Sequence, residues 1–176
     1  MAPSPSPVED GIARMGRGMT VAFWLLVLLG GTIVFTGLSD RRENPNGRPE
    51  GTLEGGTAEV RLARNARGHY VADGTIEGVS ARMLVDTGAT GIVVPEDLAA
   101  RIGLERGRQV PVSTANGRTV VWTTHIDRLA LGTLEFRDVD AAIAPNLEGA
   151  VLLGMSALGS VELVQRDGEL IIRQQR

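Results

Sequence analysis

Residues 83–90 read Met83-Leu84-Val85-Asp86-Thr87-Gly88-Ala89-Thr90, an apolar strand that stops at an acid, a hydroxyl residue and a glycine. A carboxylate at the end of a buried strand is costly unless several donors hold it, so its placement favours a chemical role. Thr87 can hydrogen-bond to neighbouring backbone, and Gly88 lets another chain or a water molecule come close because it has no Cβ. The sequence therefore predicts a crowded functional loop around Asp86.

Further motifs follow this loop in the sequence. The apolar run Ile92-Val93-Val94-Pro95 follows it, and a second apolar marker, Val151-Leu152-Leu153-Gly154-Met155, lies about sixty residues on. Together with Thr114-Ala115-Asn116-Gly117 and Ala144-Pro145-Asn146, the motifs resemble those of the bacterial membrane-anchored retropepsin-like aspartic proteases. The resemblance covers residues 57–176.

The resemblance implies a fold and a set of site residues. The fold is an all-β, retropepsin-like acid protease barrel over residues 58–176, with two short helices and one transmembrane helix before it. The implied activity is aspartic endopeptidase, with a peptide or protein as substrate. The implied catalytic residues are Asp86, Thr87 and Gly88, and the implied substrate-binding residues are Ala89, Thr90, Ala115, Asn116 and Gly117.

Local patterns in the domain agree with short strands. Residues 109–114 and 118–124 are strand-like and flank Asn116-Gly117, a dipeptide that tolerates positive φ and so predicts a hairpin. The residues alone favour an ordinary surface hairpin. In a retropepsin, however, the hairpin between the Asp-Thr-Gly loop and the Leu-Leu-Gly marker is the flap that covers substrate, and this position favours a flap here. Residues 96–102 predict a short helix, with acids in the first turn and Gly103 as its stop.

Three segments precede the domain. Residues 1–18 lack apolar periodicity and predict a flexible tail. Residues 19–38 are uncharged and mostly apolar. At about 1.5 Å per residue, roughly 20 such residues cross a hydrocarbon core of about 30 Å, which predicts a transmembrane helix, with a cleaved signal peptide as the alternative. Residues 39–57 are polar and glycine-rich and predict a flexible linker of roughly 25 Å.

Charge alone does not orient this helix. Arg14 and Arg17 stand on one side, and Arg41, Arg42 and Arg48 stand on the other, so the positive-inside rule favours neither orientation. The family resemblance implies a single-pass inner-membrane protein with a cytoplasmic tail and the domain in the periplasm.

Composition excludes several function classes. The net charge of −3, with no basic stretch interleaved with aromatics, predicts no nucleic-acid partner. Cysteine is absent, and neither His69 nor His125 has a partner at a metal-ligand spacing, so no metal and no cofactor is expected.

The sequence holds one Asp-Thr-Gly and no second copy. Aspartic proteolysis needs two carboxylates that share a proton, so the second must come from another copy of the chain. A homodimer with its two-fold axis beside Gly88 is therefore expected. Residues 58–62 and 170–173, the terminal strands, are predicted to form the interface because unpaired edges invite pairing.

Three other functions fit parts of the pattern. The first is a non-catalytic module of the same fold that dimerises or holds peptides. The second is a structural membrane protein in which Asp86 only caps a turn. The third, an aspartyl-phosphate enzyme, requires Asp-Lys-Thr-Gly or Asp-x-Asp, and Asp86 is followed by neither.

Overall fold

The computed structural model describes residues 7–114 and 117–176. Ala115 and Asn116, which were predicted to bind substrate, lie outside the described residues. The chain divides into two compact units that part between Asp40 and Arg41. Each unit is described by itself.

Helix α1, Pro7–Glu43, makes up the described part of the first unit and enters the second. It begins inside the segment predicted to be a flexible tail, because proline is well accepted at a first helical position and two acids, Glu9 and Asp10, follow in the sequence. Among the described residues, its part Met19–Glu43 is long and apolar enough to cross a membrane, a property that a signal sequence shares.

The second unit is built almost entirely of strands. In chain order the elements are β1 Glu50–Glu54, β2 Thr57–Ala63, β3 Tyr70–Ile76, β4 Val79–Val85, β5 Ile92–Pro95, α2 Glu96–Ile102, β6 Gln109–Thr114, β7 Gly117–Leu131, β8 Leu134–Ala144, β9 Val151–Leu153, α3 Met155–Leu158, β10 Glu162–Arg166 and β11 Glu169–Gln175. Within the described part of this unit, the prediction of an all-β fold with two short helices is confirmed.

The strands form two sheets. One has the order β1-β2-β11-β10, and the other has the order β3-β4-β9-β5-β8-β7-β6. An additional pairing of β3 with β7 bends the larger sheet back on itself, as a barrel requires. The core lies between the sheets and holds alternate side chains of the strands, such as Val60, Leu62, Ile126 and Leu153, all fully buried.

The flexible linker predicted over residues 39–57 is corrected by the structure. Asn46 is buried and acts as a backbone substitute: its Nδ2 donates to the carbonyls of Ala63 at 2.9 Å and Val71 at 2.7 Å. Its Oδ1 accepts from the Ala63 N–H at 2.7 Å. Residues 50–54 then add strand β1 to the smaller sheet. The segment is polar because hydrogen bonds, rather than apolar burial, hold it in the domain.

Asn46→Ala should lower the free energy of unfolding of residues 41–176 by roughly 2–4 kcal/mol, because two carbonyls and one N–H lose their partner in a buried place. Denaturant unfolding followed by the fluorescence of Trp122 measures it. Asn146→Ala is the matched control, since Asn146 is exposed and its side chain makes a long hydrogen bond, 3.4 Å to Thr119. Equal effects of the two changes would contradict the structural role of Asn46.

The predicted interface strands are also corrected. Residues 58–62 belong to β2 and residues 170–173 to β11, and these two strands pair with each other along their length. β1 covers the other side of β2, and β10 covers the other side of β11. Both predicted edges are therefore interior strands, because the chain supplies their neighbours itself. The edges of this sheet are β1 and β10.

One ion pair crosses the two interior strands. The Arg173 Nε donates to the Glu59 carboxylate at 2.7 Å, and Arg61 contacts the same carboxylate at 2.9 Å. The hydrogen bond from Arg173 holds the pKa of Glu59 below its ordinary value, and Glu59 in turn raises the pKa of Arg173. Arg173 and Glu59 are direct register partners of β11 and β2, so the ion pair links the two strands at the surface.

Candidate active site

Asp86 stands directly after β4, where the chain leaves the larger sheet. β4 is flanked by β3 and by β9, and Val85 is in register with Leu153 of the parallel strand β9. The Asp86 N–H continues that ladder by donating to the Leu153 carbonyl at 3.1 Å. The backbone of this half-buried acid is thus fixed by the sheet.

Hydrogen bonds inside the loop orient the carboxylate. The Gly88 N–H donates to the Asp86 Oδ1 at 2.9 Å, and the Ala89 N–H donates to the Asp86 carbonyl at 3.2 Å. Thr87 and Gly88 themselves are exposed. The loop therefore holds the Asp86 carboxylate in a fixed direction. The exposed surface next to it is open because Gly88 has no side chain.

The other end of the loop is held by the start of α3. The Ala89 carbonyl accepts from the Met155 N–H at 2.9 Å, and the Thr90 carbonyl accepts from the Ser156 N–H at 3.0 Å. Gly154 makes this approach possible, because a Cβ there would lie 2.6 Å from the Ala89 carbonyl oxygen and closer still to that of Gly91. Sequence reasoning did not predict that Gly154, Met155 and Ser156 contact the Asp86 loop. The Leu-Leu-Gly marker includes Gly154, but a local motif does not show which distant residues it will contact.

Strands β6 and β7 form the hairpin that was predicted to be a flap. Thr114 and Gly117 are paired across the two-residue connection, and Gly117 has a φ of 112°, which favours glycine. The structure thus gathers Asp86, Thr87, Gly88, Ala89 and Thr90 in one loop and places Gly117 on a separate hairpin.

Contacts between the hairpin and the rest of the domain were also missed by sequence reasoning. The guanidinium of Arg106 lies 4.6 Å from the ring centroid of Trp122 on β7 and pairs with Glu96 on α2. Asn146 donates to Thr119 of β7 at 3.4 Å. These residues are far apart in sequence, so no local pattern could have joined them.

One cluster on the surface has the ligand types of a metal site. Atoms of His125, Asp127 and Asp138 lie within 4.8 Å of one another, although their spacing in the sequence gave no sign of it. The cluster forms because β7 and β8 lie side by side. All three side chains are exposed, and exposed acids commonly come together without binding an ion. The site does not alter the expectation of a metal-independent chemistry.

The fold and the loop together define a retropepsin-like architecture: strand-end Asp-Thr-Gly, a clasping glycine after β9, and a hairpin between them in sequence. Residues 72–160 match the family described as "gag-polyprotein putative aspartyl protease". The chain belongs to this aspartic protease family.

Two similar proteins come from bacteria. An uncharacterised protein from the region 5′ of cobV in a Sinorhizobium species is 31% identical over 175 residues, covering 91% of this chain and 75% of that protein. An uncharacterised protein of Rickettsia prowazekii is 26% identical over 117 residues, covering 65% of this chain and 50% of that protein.

A solved structure agrees with the fold. The crystal structure of a retropepsin-like aspartic protease from Rickettsia conorii has a TM-score of 0.57 and 25% identity to this chain. The match covers 72% of this chain and 96% of that one. The retropepsin-like fold expected from the motifs is therefore confirmed.

Proposed function

We propose that this protein is a membrane-anchored aspartic endopeptidase that is active as a homodimer. The observation that carries the proposal is the strand-end Asp86, oriented by the Gly88 N–H within a retropepsin-like fold. Because the sequence has a single Asp-Thr-Gly, the second carboxylate is the Asp86 of another copy. The exposed loop at Thr87 and Gly88 is the surface that receives that copy.

Two facing carboxylates can hydrolyse a peptide bond without a cofactor. They share one proton, so one carboxylate takes a proton from water while the other gives its proton to the scissile carbonyl oxygen. Water adds to the carbonyl carbon, the amide nitrogen is then protonated, and the C–N bond breaks. Gly88 fixes the direction of the Asp86 carboxylate, and Thr87 is proposed to bond to the partner loop.

The proposed substrate is an extended peptide lying between the loop and the hairpin of β6 and β7. An extended peptide pairs through backbone hydrogen bonds, which gives affinity with little dependence on sequence. Ala89 and Thr90 form the floor in this arrangement. Ala115, Asn116 and Gly117 form the tip of the flap.

Helix α1 is the proposed anchor. Its segment Met19–Glu43 is long and apolar enough for a single membrane span, and residues 19–38 are the apolar part that would lie in the hydrocarbon core. We place the domain in the periplasm and the chain in the inner membrane, following the resemblance to membrane-anchored relatives. Two copies in one membrane meet at a raised effective concentration, which favours a weak dimer.

The rate of cleavage should rise with the square of the protein concentration at concentrations below the dimer dissociation constant. With residues 41–176 and a quenched-fluorescence peptide library, a tenfold dilution below the dimer dissociation constant should lower the rate about a hundredfold, since the active species is a pair. The rate should also fall at high pH, because the shared proton is then lost. A rate proportional to concentration throughout would contradict the dimer, and a rate without an alkaline decline would contradict the dyad.

A further inference from the structure

The folded domain begins almost directly after the apolar part of α1. The apolar run ends at Leu38, and the second compact unit starts at Arg41. The chain is already tied to this unit at the next residue, where the Arg42 carbonyl accepts from the Ala66 N–H at 3.3 Å. Only a few residues therefore separate the proposed membrane span from fixed backbone.

The loop between β2 and β3 is built against this first segment. Asn65 Nδ2 donates to the Glu43 carbonyl at 2.9 Å, and Asn65 Oδ1 accepts from the N–H groups of Arg67 at 3.0 Å and His69 at 2.9 Å. Arg67 also pairs with the Glu43 carboxylate at 3.0 Å. Residues 41–48 and 64–69 therefore form one continuous surface, called here the basic end.

The basic end is positively charged in a chain that is negative as a whole. Its residues include five arginines and a single acid, Glu43, whereas the chain carries a net charge of −3. Two acids flank the basic end in sequence, Asp40 before Arg41 and Glu50 after Arg48. A third, Asp73, accepts from the Asn44 Nδ2 at 2.7 Å and is paired with Arg82 at 3.4 Å. All five arginines are exposed: Arg41, Arg42, Arg48, Arg64 and Arg67.

From this arrangement we infer that the basic end binds the anionic phospholipid headgroups of the membrane that α1 enters. The inference rests on the proposed anchor. Exposed arginines next to a membrane span are attracted to an anionic surface over about 10 Å, the screening length at roughly 0.1 M salt. The short connection after Leu38 keeps the arginines inside that range, and the hydrogen bonds of Asn65 keep the loop in place.

Headgroup binding also positions the Asp86 loop. β3 starts at Tyr70, directly after the basic end, and Tyr70 is in register with Val85, the residue before Asp86. The Asp86 loop and the basic end therefore share one end of the β3–β4 hairpin. Docking fixes the height of the acid above the bilayer and directs the enzyme to peptide bonds close to the membrane surface.

The absence of native cysteine allows a direct test on the full chain. An environment-sensitive fluorophore on Ala66→Cys reports proximity to headgroups in liposomes of phosphatidylcholine, with or without phosphatidylglycerol, that carry a headgroup-bound quencher. We expect quenching to be about twofold greater in the anionic liposomes, and to lose this excess at about 1 M salt, where screening acts within about 3 Å. The same label on Asp127→Cys should show no such excess, because Asp127 contacts Glu77, at the far end of β3.

Variants of Arg64 and Arg67 show whether the quenching depends on their positive charge or on the structure of the loop between β2 and β3. R64Q/R67Q should remove most of the excess quenching, whereas R64K/R67K should retain it, because lysine keeps the charge and loses the guanidinium contacts with Glu43 and Tyr70. R101Q/R108Q removes two exposed arginines elsewhere and should have no effect.

Three results would overturn different parts of the proposal. Equal quenching in neutral and anionic liposomes, or loss of the excess in the lysine variant as well, would overturn headgroup binding. Flotation of the chain with neutral liposomes is measured first, and failure to float would overturn the anchor and headgroup binding together. Peptide cleavage by residues 41–176 is assayed separately, so a failure of the enzymatic proposal remains distinguishable.

Discussion

Asp86→Asn should lower peptide cleavage by roughly 10²–10⁴-fold, the usual contribution of a general acid or base. The amide cannot take a proton from water or share one with its mate. It can still accept the Gly88 N–H through its Oδ1, so the loop should keep its shape. Initial rates on the same peptide library measure the loss. Asp97→Asn, an exposed acid on α2, is the matched control and should leave the rate unchanged.

The same variant tests whether two copies share one site. Adding an excess of the Asp86→Asn chain to a fixed amount of the original chain should lower the rate, because mixed pairs carry a single carboxylate. An excess of the Asp97→Asn chain should raise the rate by driving pair formation. Equal rates for the original chain and the Asp86 variant would mean that Asp86 carries no cleavage, and would leave the alternatives in which this fold only binds peptides or Asp86 only caps a turn.

Gly154→Ala should lower the free energy of unfolding by at least about 1–3 kcal/mol, the usual cost of overpacking. The added Cβ would meet the backbone oxygens of Ala89 and Gly91, which cannot rotate away as a side chain could. In a domain of this size the melting temperature should fall by roughly 5–10 °C. Cleavage should fall as well, because the loop that orients Asp86 is displaced.

Gly91→Ala is the matched control for this prediction. A Cβ at Gly91 would meet only the Ser156 Oγ, at 3.9 Å, which is an ordinary contact. The two glycines lie in the same contact, so the difference between their alanine variants isolates the clash. Equal melting temperatures, measured by circular dichroism on residues 41–176, would show that α3 does not clasp the loop as described.

The loop around Asp86 was predictable because its signal is local. An apolar strand, an acid and a glycine stand side by side in the sequence, and the strand pairing then places them as a retropepsin-like fold requires. The hairpin of β6 and β7 was predictable for the same reason, since Asn116-Gly117 marks its turn. The roles of these residues in catalysis and substrate binding remain predictions.

Other features depend on partners that are distant in sequence. Asn46 belongs to the domain only because Ala63 and Val71 accept its amide, and nothing near Asn46 indicates this. Strand β1 is exposed at all five positions, so it lacks the alternation that identifies a strand. The prediction that the terminal strands are free edges is wrong because their coverage by β1 and β10 depends on long-range strand pairing, which no local pattern reveals.

The smaller sheet has a consequence for how activity would be switched on. Because β2 and β11 find their neighbours within one chain, a single copy can complete its fold before it ever meets another. Folding then does not depend on association, so the association of two copies can be weak and reversible. If the proposed homodimer and membrane anchor hold, the onset of proteolysis would follow the abundance of the chain in the membrane, as a threshold set by gene expression.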